Sequence, residues 1–402
     1  MVPHLVTALT DSISELEQRI LDSMPAIERW FRLEWMEHTP PFYCAVDVRN
    51  AGYKLAPTDT HLFPDHWHIL TPAMLPLAVQ AAMAAIEKIC PEARHLLIVP
   101  QSRNTDLAYW SNIAQLQRIF HLAGLNVRIG SISPDVKEST TIVLPDGESI
   151  ELEPALRTNG RLLLKDCDPC TILLNNDLRT GIPGILEELH TQFMLPPLHA
   201  TWGTRRKSVH SRCLEEITKR FGKLIGVDYW LLAPLFDHRA QVDFANPADR
   251  EALANQVDAL LTKIRRKHKE YGMKEKPFIV LKADDSHPAL GVKILREGKD
   301  VHALYFNAPA VYDVLLQEGI EAELQNPVVY MMDRYVVGGF YRTATDCVPL
   351  EFAESPHLPQ LGIKQGGNVP NRFYMYGVIA RLAMLAASYE LEATDPNAEH
   401  YD

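Results

Sequence analysis

Residues 44–62, CAVDVRNAGYKLAPTDTHL, crowd Asp47, Arg49, Asn50, Lys54, Asp59 and His61 into one short span. Arginine and lysine hold carboxylates and aspartate holds an ammonium group, so this set suits a zwitterion. Local ion pairing in a solvated loop is the other physical reading of the same residues. A strand over about 42–48 runs into breakers at Gly52 and Pro57, which puts the charges at a strand-to-turn junction. A second set lies towards the far end. Lys282 closes the apolar run 278–282, and the loop 283–290 leads on to Lys293. A strand lysine beneath a loop can offset the charge of a triphosphate; a solvated strand-end lysine looks the same in sequence. In YVVGGFYR, 335–342, two strands read as joined by a Gly-Gly turn, with Asp333 before them and Arg342 on a rigid mount for a carboxylate or phosphate.

These groups need elements to position them. Ser12 and Glu15 have capping-box spacing ahead of Ile13, Leu16 and Ile20, and Pro25 restarts a helix towards Trp35. Thr71-Pro72 reads as a helix start, with Leu75, Ala78, Val79, Ala82, Met83 and Ile86 on the apolar face. A strand at 95–99, a helix at 106–122 and a strand at 127–131 give the rhythm of an α/β layer. Pro145-Asp-Gly-Glu148 reads as a hairpin turn. The apolar strand 171–176 ends in Asn175, Asn176 and Asp177, polar groups where α/β proteins place ligand contacts. A long amphipathic helix is predicted over 247–271, with Gly272 as its stop and the basic cluster 263–269 complementing its dipole. Strands at 278–282, 291–295, 302–306, 328–335 and 339–343 follow, and a helix at 371–391 closes the chain.

Composition narrows the function. The chain has 402 residues, 47% hydrophobic and 23% charged, ample for two or three domains. A net charge of −11 argues against a nucleic-acid partner. Neither a secretory signal nor a membrane span is visible: 376–389 is short and broken by Arg381. Six scattered cysteines suit a reducing cytoplasm. Cys167 and Cys170 have CxxC spacing but no second pair to complete a zinc site. Nothing indicates the oligomeric state.

VDVRNAGYKLAPTDTHLFP (46–64) resembles the amino-terminal signature of the proteobacterial glutamate–cysteine ligases. LLNNDL (173–178), LPPLHATWGTRRKSVH (195–210), VVYMMDRYVVGGFYR (328–342) and NRFYMYGVIARLAMLAASYELE (371–392) resemble later blocks of that family, in family order. The resemblance implies an α/β (α+β), ATP-grasp-like ligase. It implies an N-terminal α/β domain over 1–195, with an amino-acid-binding loop at 44–70, and an ATP-grasp-like domain over 196–402. In the implied reaction ATP phosphorylates the γ-carboxylate of glutamate, and the amine of cysteine displaces phosphate to give γ-glutamylcysteine. Lys207 and Lys282 would hold the nucleotide, and Lys282 and Arg342 would be catalytic. Asp47, Arg49, Asn50, Lys54, Asp59 and Asn176 would bind the amino acids. Mg2+ would bridge the phosphates, with Asp333 as a candidate ligand and Asp346 and Glu351 as candidate substitutes for a metal-binding segment that the family carries and this chain lacks.

The chain also departs from the family pattern. Where members carry a glycine-rich AGTYGMG loop, residues 283–291 read ADDSHPALG, and two acidic groups there oppose polyphosphate. An ENLNAPG-like segment after GGFYR is absent, and 295–317 reads as shortened. His61, His66 and His68 replace amides and a glycine, and could bind a metal or simply be polar. Three outcomes fit: the same dipeptide from a rearranged site, a different acid and amine, or a non-catalytic binding or regulatory relative.

Overall fold

The computed structural model describes residues 14–101, 104–176, 178–179, 181–285, 290–304, 311–321, 326–342, 347–349 and 373–396. The fold is mixed α/β. A five-stranded antiparallel sheet runs in the order Cys347–Pro349, Tyr335–Arg342, Asn326–Met332, Tyr43–Asn50, Leu55–His61. It therefore joins strands from both sides of residue 195. The stretch 44–70 is mostly not a loop: the residues up to His61 form two paired strands, with Asp47 directly opposite Asp59. Leu55–His61 escapes sequence reading because Pro57, Thr58 and Asp59 look like a turn; as an edge strand it tolerates the proline.

The second sheet has six strands, in the order Phe193–Leu195, Thr171–Asn175, His95–Pro100, Asn126–Ser131, Ser149–Pro154, Thr140–Val143. All its pairings are parallel except the final hairpin, which turns at 145–148 as expected. Strand order reverses between His95–Pro100 and Thr171–Asn175, so their carboxyl ends flank a crevice of the kind that receives ligands in open α/β sheets. The third sheet, Phe236–Asp243, Val311–Glu318, Ile279–Ala283, Lys293–Leu295, is antiparallel and packs on the helix Pro247–Glu270. Leu253, Val257, Leu260, Leu261 and Ile264 of that helix are buried, as their spacing predicts.

Several boundaries move. The capping box is made by Ser14 and Glu17, which starts the first helix at Glu15 and buries Leu16 and Ile20; Ser12 lies outside the described residues. Residues 72–74 form a turn, and the helix begins at Leu75 with Pro76 in its first turn. That register leaves Met83 52% exposed and buries Ala81 and Ala85 instead. The predicted strand at 302–306 is replaced, over its described part, by the end of a 3-10 helix, Gly298–Ala303. Gly338 and Gly339 lie inside the strand Tyr335–Arg342, and the turn is at Asp333, whose φ is 50°. Gly338 serves packing: a Cβ there would sit 2.6 Å from Met74 Sδ and 2.9 Å from Leu70 Cδ2.

The last helix, Phe373–Ala393, is buried on nearly every side, and its Arg381 pairs with Glu28 at 2.7 Å. An apolar circumference of that kind marks a core helix. Among the described residues no helix is long and apolar enough to cross a membrane.

One buried ion pair fastens the hairpin to the third sheet. Lys54 Nζ lies 2.8 Å from Glu318 Oε2, and both side chains are shut off from solvent. Glu318 also accepts from Trp230 Nε1 at 3.0 Å and from the Leu235 amide at 2.8 Å. Burial brings the Lys54 ammonium down to about 8, against the opposing pull of Glu318. Lys54→Met, which strands that carboxylate, should cost about 3–5 kcal/mol in urea unfolding. Adding Glu318→Gln should recover part of the loss, because the amide oxygen still serves Trp230 and Leu235.

Candidate active site

Two clefts adjoin along the Leu55–His61 strand. The first is lined by Asp59, Arg205, Lys207, His210, Lys282 and Gln317. The second, of about 330 Å³, is lined by His61, Asp65, Tyr109, Asn175, Arg179 and Arg342 among others. Tyr109 and Asn175 come from the strand-order reversal of the parallel sheet, and Arg342 comes from the central sheet, so the second cleft lies between two sheets. Trp202 lines both clefts. Its ring stacks on His61 at 5.9 Å and carries the Arg179 guanidinium 4.3 Å from its centroid.

Asp59 and His61, two residues apart, share one face of their strand and enter neighbouring clefts. Asp47, opposite Asp59, accepts from Arg342 at 2.9 Å and meets His61 Nε2 at 3.0 Å. Burial works to raise the Asp59 carboxyl, but His61, Lys282 and Lys207 outweigh it and hold the group well below the usual carboxylate range. Burial in turn works to lower the His61 imidazole; Asp59 and Asp47 prevail and raise it.

The first cleft is cationic. Lys282 Nζ donates to the Thr58 carbonyl at 3.0 Å and stands 4.0 Å from Asp59. Lys207 Nζ donates to the carbonyls of Ala283 and Asp285 at 3.2 and 3.1 Å. Burial, with repulsion from Lys282 and Arg205, keeps the Lys207 ammonium below its ordinary value, although Asp59 pulls the other way. A neighbouring polyanion would relieve that repulsion.

Asp284, the first of the two acidic residues in the place of a glycine-rich loop, is not arranged as its sequence position suggests. Asp284 is buried and turned away from the first cleft. Its carboxylate accepts from the Ser208 amide at 2.6 Å and the Ser208 hydroxyl at 2.8 Å, at the start of the helix Lys207–Ile225. It caps a helix whose own N-cap residue, Arg206, makes no side-chain cap bond.

Behind the first cleft, Arg205 binds Glu390 through two hydrogen bonds of 2.7 and 2.8 Å and donates to the Thr60 carbonyl at 2.7 Å. His210 Nδ1 meets the same carboxylate at 3.0 Å, and its Nε2 meets Thr60 Oγ1 at 3.1 Å. These bonds lock the Leu55–His61 strand to the last helix.

Of the site residues named from sequence, Lys207, Lys282, Arg342, Asp47 and Asp59 come together here. Arg49 feels Asp47 and Arg342, and burial lowers its pKa, yet it lines neither cleft. Asn50 bonds the Gly52 amide at 2.9 Å and Tyr376 at 3.3 Å. Lys54 is buried against Glu318. Asn176 bonds Pro100 and Leu178; its neighbour Asn175 is the one that lines the cleft. Asp333 lies at the opposite end of the Tyr335–Arg342 strand from Arg342, about 23 Å along it. Both its oxygens take 2.7 Å bonds from Lys88. Asp346 and Glu351 lie outside the described residues. His66 bonds Asp65 at 2.6 Å and stacks near His68, but among the described residues no group of three or more His, Cys, Asp or Glu side chains is placed to hold a metal ion.

Trp202, Arg205, His210, Arg179 and Glu390 escape sequence reading. Three of them fall in the block 195–210, where Lys207 was singled out. The mixture of Trp, Arg and His around that lysine is the signal that was there to use.

Glu390 is 1% exposed, and burial alone would raise its carboxyl. Arg205 and then His210 outweigh burial and bring it from 4.5 down to about 2. In that window the unfolded chain binds the proton more readily, so stability falls with pH. From pH 4.5 to 2 the protein should lose about 3 kcal/mol that a Glu390→Gln variant does not lose, read by urea unfolding across pH.

The family model described as GshA, glutamate–cysteine ligase, matches residues 17–391. No curated protein matches. A protein from Methylobacillus flagellatus KT, assigned as a gamma-glutamylcysteine synthetase, is 45% identical, with a TM-score of 0.86 over 98% of this chain and 100% of that one. D-cycloserine synthetase DcsG gives a TM-score of 0.36 at 12% identity over 73% of this chain and 82% of that one. D-alanyl-alanine synthetase A from Vibrio cholerae gives 0.30 at 10% over 64% and 65%. Likenesses of the latter size carry no weight; the match along 17–391 does, and the chain belongs to the glutamate–cysteine ligase family.

Proposed function

We propose that the chain is an ATP-dependent ligase, ATP-grasp-like in fold, that joins the γ-carboxylate of glutamate to the amine of cysteine. The supporting observation is the shared wall: a cationic cleft suited to phosphates adjoins a second cleft at a sheet crevice, and Asp47 ties the Arg342 of the second to the strand that forms the first. Lys207 and Lys282 hold the nucleotide phosphates. Arg342, oriented by Asp47, faces the charge that builds up as the γ-carboxylate becomes an acyl phosphate. The zwitterionic substrates fit a cleft that offers Arg179 and Arg342 to carboxylates and Asp65 to an ammonium group. Attack by the amine then releases phosphate and forms the amide.

The described residues do not form a Mg2+ site. Asp333 is committed to Lys88, and among the described residues no group of three or more His, Cys, Asp or Glu side chains is placed to hold the ion. Asp284, one of the two acidic residues set against polyphosphate in the sequence, is bonded to a helix N-terminus and does not line the first cleft.

Purified protein given ATP and Mg2+ should release ADP only when glutamate and cysteine are both present. No amino-acid-dependent ADP would overturn the proposal, and release with a different pair in an amino-acid screen would reassign the substrate. Lys282→Ala and Arg342→Ala should each lower kcat/KM by about 10²–10³-fold.

A further inference from the structure

Cys167 and Cys170 have CxxC spacing, but the structure gives Cys170 a different neighbour. Cys90 Sγ lies 3.6 Å from Cys170 Sγ, although 80 residues separate them. Cys90 ends the helix Leu75–Ile89, and Cys170 immediately precedes the strand Thr171–Asn175. Both are partly exposed, whereas Cys44 and Cys167 are buried. Burial pushes the Cys44 thiol up to about 12, and burial and then Cys170 raise the Cys90 thiol as well. Neither Cys90 nor Cys170 lines a cleft.

The two thiols stand on different layers. The helix that ends at Cys90 packs on the central sheet, to which Lys88 is also pinned through Asp333. The strand that follows Cys170 belongs to the parallel sheet, and its far end, Asn175, enters the second cleft. A bond between them would fasten the two sheets on the side away from that cleft.

We propose that Cys90 and Cys170 form a redox-modification site, which closes to a disulfide on meeting a low-molecular-weight disulfide, RS–SR. One cysteine thiolate attacks a sulfur of RS–SR; the S–S bond breaks and RSH leaves after taking a proton. The second cysteine thiolate attacks the mixed disulfide, the Cys90–Cys170 bond forms and a second RSH leaves. Two protein thiols are oxidised, one small disulfide is reduced to two thiols, and the two protons end on those thiols. The sulfurs are already in contact, and closure brings them from 3.6 Å to the covalent distance of about 2.05 Å. Because the bond closes a long loop, it restricts the unfolded chain and raises Tm.

The test incubates the full chain with bis(2-hydroxyethyl) disulfide and reads intact mass, peptide linkage and Tm. The expected result is a loss of two hydrogens, a 90–170 linked peptide, a Tm above that of the reduced protein, and reversal of all three by dithiothreitol. Cys167→Ser should behave as wild type. Cys90→Ser and Cys170→Ser should each stop at a mixed disulfide. A 167–170 link, any other pairing, or stable mixed disulfides on the wild type would overturn the proposal. Mass and linkage do not depend on ligase activity, so failure here and failure of the ligase reading are separate results.

Discussion

Two aspartates face each other across the first hairpin, and much of the site follows from that juxtaposition. Like charges directly opposite on paired strands repel and destabilise the sheet. Asp47 and Asp59 are register partners all the same. They are tolerated because cations surround them: Arg342 and His61 on one, Lys282, Lys207 and His61 around the other. The hairpin thus requires positive charge from three distant parts of the chain. The same cations line the two clefts.

A cationic cleft must also be stable with no anion in it. Here each cation has an internal holder. Lys207 and Lys282 rest on backbone carbonyls, Arg205 on Glu390 and Arg342 on Asp47. Carbonyl partners are neutral dipoles, so they fix direction without cancelling the charge a phosphate would meet. Glu390 is a full counter-charge, and it is buried behind the first cleft, where it serves the joint between strand and last helix. Arg205 and Arg342 thus rest on carboxylates, whereas the two lysines donate to carbonyls.

Helices with a clear apolar stripe and the parallel strands were legible in the sequence, because burial on one stripe or on both faces leaves a periodic or continuous apolar trace. Val311–Glu318 was not. It is buried along most of its length, but it carries Asp313, Gln317 and Glu318, and the partner that makes Glu318 acceptable, Lys54, lies 264 residues away. Phe236–Asp243 was missed because it is an edge strand with only Val242 buried. The site followed the same rule. Lys207, Lys282 and Arg342 were visible as charges attached to specific motifs. Lys54 and Asp333 look the same in sequence, yet they pair with Glu318 and Lys88 away from both clefts, and only the tertiary structure shows where a charge ends up.

The central sheet has a consequence for synthesis. Tyr43–Asn50 is buried over its first six residues, and one of its edges is satisfied only by Asn326–Met332. At typical elongation rates the chain between them takes on the order of tens of seconds to emerge. For that time an apolar strand stands on the ribosome with an unmatched row of amides and carbonyls, the template that neighbouring nascent chains pair with. The molecule is therefore most exposed to aggregation in the interval before its late strands leave the exit tunnel, and holdase chaperones that cover the early hairpin should matter more to its yield than the stability of the finished fold.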